Sequence, residues 1–75
     1  MENSYFIIVK YAQNSQESYV YDISRSNTYT SDDYTQALRF SRQDAATVMT
    51  EELNLKAEKT TTYTVAEIKT TVNYL

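Results

Sequence analysis

Seventy-five residues go by without one glycine or proline. Nothing constrains this chain more, because those two residues supply most of the tight turns of ordinary domains. At the usual frequency a chain of this length would carry roughly five glycines. Any turn that needs a positive φ must therefore take it from a residue with a short polar side chain, Asn or Asp. Asn14, Asn27 and Asn54 are the best placed for that task.

Histidine, cysteine and tryptophan are missing as well. Without cysteine there is no disulfide, and without Cys or His no ordinary zinc site. A single domain spanning residues 1–75 is expected. A chain this short buries only about 60% of its unfolded surface, and one core then supplies roughly 3–5 kcal/mol. Stability must come from tight packing or from a second subunit. The net charge of −3 disfavours unspecific nucleic-acid binding, which rests on neutralising phosphates with Lys and Arg. The first residues, Met1-Glu2-Asn3-Ser4, lack the basic start of a secretory leader, and Tyr5 to Val9 is too short for its apolar stretch. No apolar run approaches the ~20 residues of a membrane span. A cytoplasmic setting with no membrane contact is the natural expectation.

Ser4 to Tyr11 reads as the clearest strand, with Tyr5, Ile7, Val9 and Tyr11 on one face and Phe6, Ile8 and Lys10 on the other. Both faces are apolar up to Val9, which predicts a central strand or one covered on both sides. Ala12 to Glu17 reads as a turn, and Ser18 to Ile23 as a second strand carrying Tyr19, Tyr21 and Ile23 on one face. The short separation favours an antiparallel hairpin. Thr28-Tyr29-Thr30 admits a third, short strand, and Ser31-Asp32-Asp33 a turn or a helix cap. Tyr34 to Phe40 admits a helical turn or an extended stretch.

Ser41 with Asp44 three residues on resembles a capping box, so a helix is expected from Arg42 to Leu53. Its Ala45, Met49 and Leu53 stripe, flanked by Ala46 and Val48, would pack on the sheet with Phe40, Ile8 and Ile68, while Thr47, Thr50 and Glu51 face away. Asn54 would close the helix in the left-handed conformation and Leu55 would pack back. Thr62 to Val72 reads as a final strand whose alternation breaks between Val65 and Ala66, as at a bulge or a ragged edge. The expected fold class is α+β: a small antiparallel sheet of three or four strands with one main helix packed on one face.

The run Ala37-Leu38-Arg39-Phe40-Ser41-Arg42-Gln43-Asp44-Ala45 resembles a pattern in small proteins encoded by phages and prophages of Gram-positive bacteria. There an N-terminal hairpin leads to an A-x-x-F-x-(S/T) stretch, an alanine-rich helix and a last strand ending in a V-x-E-I-like run, here Val65-Ala66-Glu67-Ile68. The resemblance covers most of the chain in the order of its elements. Since such proteins are mostly uncharacterised, it implies a fold and a host-cytoplasm setting, and it transfers no catalytic residue.

The chemistry-bearing residues are few. Of the carboxylates only Asp22 sits inside an expected strand beside tyrosines, where a pairing with Lys10 across the hairpin or a solvated role outweighs catalysis. Asp32-Asp33 lacks the frame of a calcium loop, and no glycine-rich phosphate loop exists. A serine nucleophile would need a base, and no lysine is placed beside one. The expectation is a protein that is not an enzyme, with no cofactor and no metal. The tyrosines are the strongest functional lead. Tyr5, Tyr11, Tyr19, Tyr21 and Tyr63 lie in expected strands, and tyrosine joins a large rigid contact area to a polar tip. These five are the candidate partner-binding residues.

The expected function is that of an accessory protein binding another, host-encoded protein as inhibitor or adaptor through that face. The alternative is a single-stranded nucleic-acid module stacking bases on the same tyrosines, for which Arg25, Arg39 and Arg42 would have to converge on them. The remaining apolar end, Val72-Asn73-Tyr74-Leu75, together with open sheet edges, points to a homodimer formed through the final strand or the tyrosine face.

Overall fold

A computed structural model describes residues 2–24 and 27–71. Four strands form one antiparallel sheet in the order β3-β2-β1-β4: β1 (Glu2–Ala12), β2 (Ser18–Ile23), β3 (Thr28–Ser31) and β4 (Thr61–Thr71). A single α-helix, α1 (Gln43–Lys56), and one turn of 3₁₀ helix over Tyr34–Gln36 complete the described chain. The fold is α+β.

β1 is central and both its faces are covered. Ile8 is fully enclosed with Val20, Leu53 and Tyr63 beneath α1, joined by Ile23, Phe40, Met49 and Ala57. On the opposite face Ile7 and Val9 close around Ala37, flanked by Tyr5, Tyr19, Ala66 and Ile68. Ile68 thus lies on the face away from the helix, not beneath it. The strand pairing explains this. β1 and β4 run in unbroken register from Glu2↔Thr71 to Ala12↔Thr61, so Tyr63 and Val65 side with Lys10 and Ile8, whereas Ala66 and Ile68 side with Ile7 and Tyr5. The two-sided pattern of β4 reflects two covered faces and needs no bulge. The irregularity lies in β2, where the register to β3 shifts between Val20 and Asp22 and leaves Tyr21 as the extra residue of a bulge.

β1 and β2 stay paired only near the hairpin, at Val9↔Tyr19 and Lys10↔Ser18. Below that point the sheet forks, and residues 38–40 enter the gap. The Leu38 N–H donates to the Val20 carbonyl at 3.0 Å, and Phe6 and Phe40 exchange both backbone hydrogen bonds at 2.8 and 2.9 Å. This segment carries the chain from one face to the other: Ala37 packs with Ile7 and Val9, and Phe40 packs under the helix. The hairpin register separates Asp22 from Lys10, which pairs with Ser18. Asp22 instead accepts the Ile23 N–H at 2.9 Å.

The hairpin turn closes with the Ser15 N–H on the Ala12 carbonyl at 3.1 Å. Asn14, at its third position, has φ 62°, where a type II turn takes Gly or Asn. Among the described residues it is the one non-glycine position with positive φ. Asn54, inside α1, does not adopt it.

The helix departs from expectation at both ends and in part of its buried face. Its N-cap is Arg42, without a side-chain cap bond. Asp44 pairs with the Arg42 guanidinium at 2.6 Å rather than reaching back to Ser41. Its buried residues are Ala46, Thr50 and Leu53; Leu53 and the half-buried Met49 sit in the core as expected, whereas Ala45 is exposed and Thr50 takes an inward place. Thr50 can be buried because its hydroxyl donates to the Ala46 carbonyl at 2.7 Å, so no polar group is stranded. The helix continues through Asn54 to Lys56, which leaves Leu55 86% exposed on its outer side instead of packed back. Asn54 ties the helix to the sheet: its amide donates to the Tyr63 carbonyl at 2.9 Å and its oxygen accepts the Tyr63 N–H at 2.8 Å.

A candidate interaction face

The face of the sheet away from α1 carries the aromatic residues. Tyr5 and Tyr11 alternate with Ile7 and Val9 along β1, and Val9 pairs with Tyr19 on β2. Tyr5 and Tyr19 are half-buried against the Ile7–Val9–Ala37 cluster. Tyr21 follows on the bulged part of β2, with its ring 6.2 Å from that of Tyr29 on β3. Tyr34, on the 3₁₀ turn, meets Tyr19 edge to face at 6.2 Å, a favoured geometry for aromatic pairs. Six tyrosines therefore share this side. Tyr11, Tyr21, Tyr29 and Tyr34 remain 46, 42, 41 and 47% exposed.

Of the five tyrosines singled out in the sequence, the structure brings four to this face and sends the fifth elsewhere. Tyr63 is only 8% exposed and belongs to the core under the helix. Strand membership alone could not reveal this. It follows from the register, which pairs Tyr63 with Lys10 on the helix side. Tyr29 and Tyr34 were not anticipated as members. Tyr29 lies in the short third strand, and Tyr34 is placed by the turn that Asp33 caps. The Asp33 carboxylate accepts the Thr35 N–H at 2.9 Å and the Thr35 hydroxyl at 2.7 Å, and these bonds hold its pKa below the usual carboxylate range.

The charge around the face is mixed. The Arg39 guanidinium stands 4.6 Å from the centre of the Tyr5 ring, within cation–π range. Arg42 is committed to Asp44, and Arg25 lies outside the described residues. Glu17 is close enough to Tyr19 to act on its ionisation. The phenol pKa of Tyr19 is raised, first by desolvation, then by the Glu17 carboxylate and the neighbouring Tyr11 and Tyr34. A depression between Tyr21, Thr30, Ser31 and Gln36 opens onto this side. Depressions also lie at the far end of α1, lined by Ile23, Thr28, Lys56 and Tyr63, and by Lys10 and Glu58. Among the described residues no three acidic side chains gather as a metal site would require. No described helix is long and apolar enough to cross a membrane. No family model, curated protein or solved structure matches this chain.

Proposed function

We propose that this chain is a non-catalytic accessory protein of phage or prophage type that binds another protein through its tyrosine face. The observation that carries this reading is the set Tyr11, Tyr21, Tyr29 and Tyr34, four large aromatics left partly open on one side of a small sheet. Tyrosine is enriched at protein interfaces because it buries much area at little entropic cost, and its hydroxyl tolerates water when the partner is absent. Partly open aromatic area concentrated on one face marks a contact surface better than scattered single residues would. The partner class is a host-encoded protein, and the action is that of an inhibitor or adaptor in the host cytoplasm.

One observation favours a second reading, a single-stranded nucleic-acid module. Arg39 stacks a cation on Tyr5, and bases stack on such surfaces. Against it stand a net charge of −3 and the carboxylate of Glu17 beside Tyr19, both unfavourable to phosphates.

Affinity capture from lysates of Gram-positive hosts tests both readings, comparing the wild-type chain with a Tyr11→Ser, Tyr21→Ser, Tyr29→Ser, Tyr34→Ser variant of unchanged circular dichroism. A protein held by the wild type and lost by the variant supports the proposal. Identical capture by both chains overturns it. Fluorescence anisotropy with labelled oligonucleotides separates the second reading: tight, salt-sensitive binding lost in the same variant would favour nucleic acid.

A further inference from the structure

The outer edge of β4 carries backbone groups that no described strand takes up. β4 is the edge strand beside β1, and among the described residues no other strand lies against its far side. Two observations show which of its backbone groups point outward. The Tyr63 N–H and carbonyl are both taken by Asn54, away from β1. On the other side of β1, Phe6 spends its N–H and carbonyl on Phe40, so its β4 partner Glu67 receives neither. Backbone groups alternate in direction along a strand. Thr62, Thr64, Ala66 and Ile68 therefore bond β1, and Val65, Glu67, Lys69 and Thr71 turn their N–H and carbonyl groups to the open edge.

This edge has a defined limit at one end. The Asn54 side chain already occupies Tyr63, so an added strand cannot continue past that point. In the other direction the described strand runs to Thr71. Its outward-facing residues include Glu67 and Lys69, which carry opposite charges on either side of Ile68. We propose that two chains join along this edge, antiparallel, with the two-fold axis at Ile68.

The chemistry in that register is complementary. Glu67 falls opposite the partner's Lys69 and Lys69 opposite the partner's Glu67, two opposite-charge pairs on the helix side of the sheet. Val65 falls opposite the partner's Thr71. All four outward residues of each chain then meet as mutually bonded pairs, the arrangement an antiparallel ladder requires. Ile68 meets the partner's Ile68 as the close, non-bonded pair on the tyrosine side. Moving the axis to Glu67 would set Glu67 against its own copy and lose both charge pairs. A two-fold axis normal to the sheet keeps the helices on one side and joins the two tyrosine faces on the other. Within one chain Glu67 and Lys69 sit 3.8 Å apart and exposed, a pair too weak to need both residues for folding. The inference does not rest on the tyrosine face binding a partner.

Sedimentation equilibrium across the micromolar range is the test. The wild-type chain is expected to sediment at twice the chain mass at the upper end. Glu67→Lys should raise the dissociation constant at least about tenfold, because lysines then face one another at two positions. The charge swap Glu67→Lys with Lys69→Glu should restore the dimer. Glu67→Pro should abolish it by removing a central outward N–H while leaving the bonds to β1 intact, since proline is tolerated on an open edge. Circular dichroism of each variant reports folding separately from association. A wild-type chain of single mass at high micromolar concentration overturns the proposal. So does a dimer indifferent to the charge reversal and to the proline.

Discussion

Ile7 and Ile8 are neighbours on one strand and both are sealed from water, at 1 and 0% exposure, but by different means. Ile8 lies under a fourteen-residue helix, with Leu53, Met49, Phe40 and Tyr63 around it. Ile7 belongs to a smaller cluster with Val9 and the buried Ala37, ringed by Tyr5, Tyr19, Ala66 and Ile68. The helix side is a core in the usual sense. The other side is a thin lid of tyrosines around Ala37, closed enough to exclude water at its centre and open at its margins. A short chain without glycine, proline or disulfide can thus cover both faces of a central strand by spending its helix on one and its aromatics on the other.

The sharpest way to break this comparison is to remove the same atoms from each side. Ile8→Ala should cost toward the upper end of the ~2–5 kcal/mol range for such truncations, since the helix is pinned by the Phe40 bridge and by Asn54 and cannot collapse into the gap. Ile7→Ala should fall toward the lower end of that ~2–5 kcal/mol range, because tyrosine rings and a short turn can settle into the space. Urea midpoints of the two variants decide it. Equal losses would mean that the tyrosine lid is as rigid as the helix.

Next in size is the clamp that holds the helix to the sheet edge. Asn54→Ala removes both bonds to Tyr63 and should cost about 1–3 kcal/mol. Hydrogen exchange should place the loss locally, with faster exchange at the end of α1 and at the Tyr63 amide than at Ile8. A uniform change across the sheet would contradict the clamp. Asn14→Val should cost about 1–2 kcal/mol, the penalty of a left-handed conformation for a residue with a branched Cβ, and Asn14→Gly should be tolerated. Thermal midpoints of the two variants test that difference.

The division between the faces was partly legible in the residues. The apolar pattern on both sides of β1 already implied a strand covered twice, and Asn at position 14 in a chain without glycine already implied its turn. The helix face was legible at Met49 and Leu53 but not at Thr50, which reads as a surface residue until its hydroxyl is seen bonded to Ala46. The path of residues 34–40 was equally hidden. Whether the segment coils or extends depends on the fork between β1 and β2, where Val20 and Phe6 offer backbone groups far away in the chain. Tyr63 was misplaced for a related reason. A strand's residues can be sorted into two faces from sequence, but only the pairing partner, here Lys10, tells which face is which.

The smallest effect lies in the ionisation of the lid. Desolvation, Glu17 and the neighbouring tyrosines hold the Tyr19 phenol neutral above the ordinary tyrosine value of about 10. A group whose pKa is raised by folding contributes stability that is fully present below its unfolded value and is lost as pH rises through the folded one. The tyrosine side should therefore keep its packing to about pH 10 and loosen above it, ahead of the helix side. Ultraviolet titration of phenolate should show a late-ionising step, and Tyr19→Phe should delete it. The change should coincide with loss of near-ultraviolet dichroism at unchanged far-ultraviolet signal, because the lid gives way before the sheet. Simultaneous loss of both signals would make the two faces one cooperative unit and remove the distinction drawn between Ile7 and Ile8.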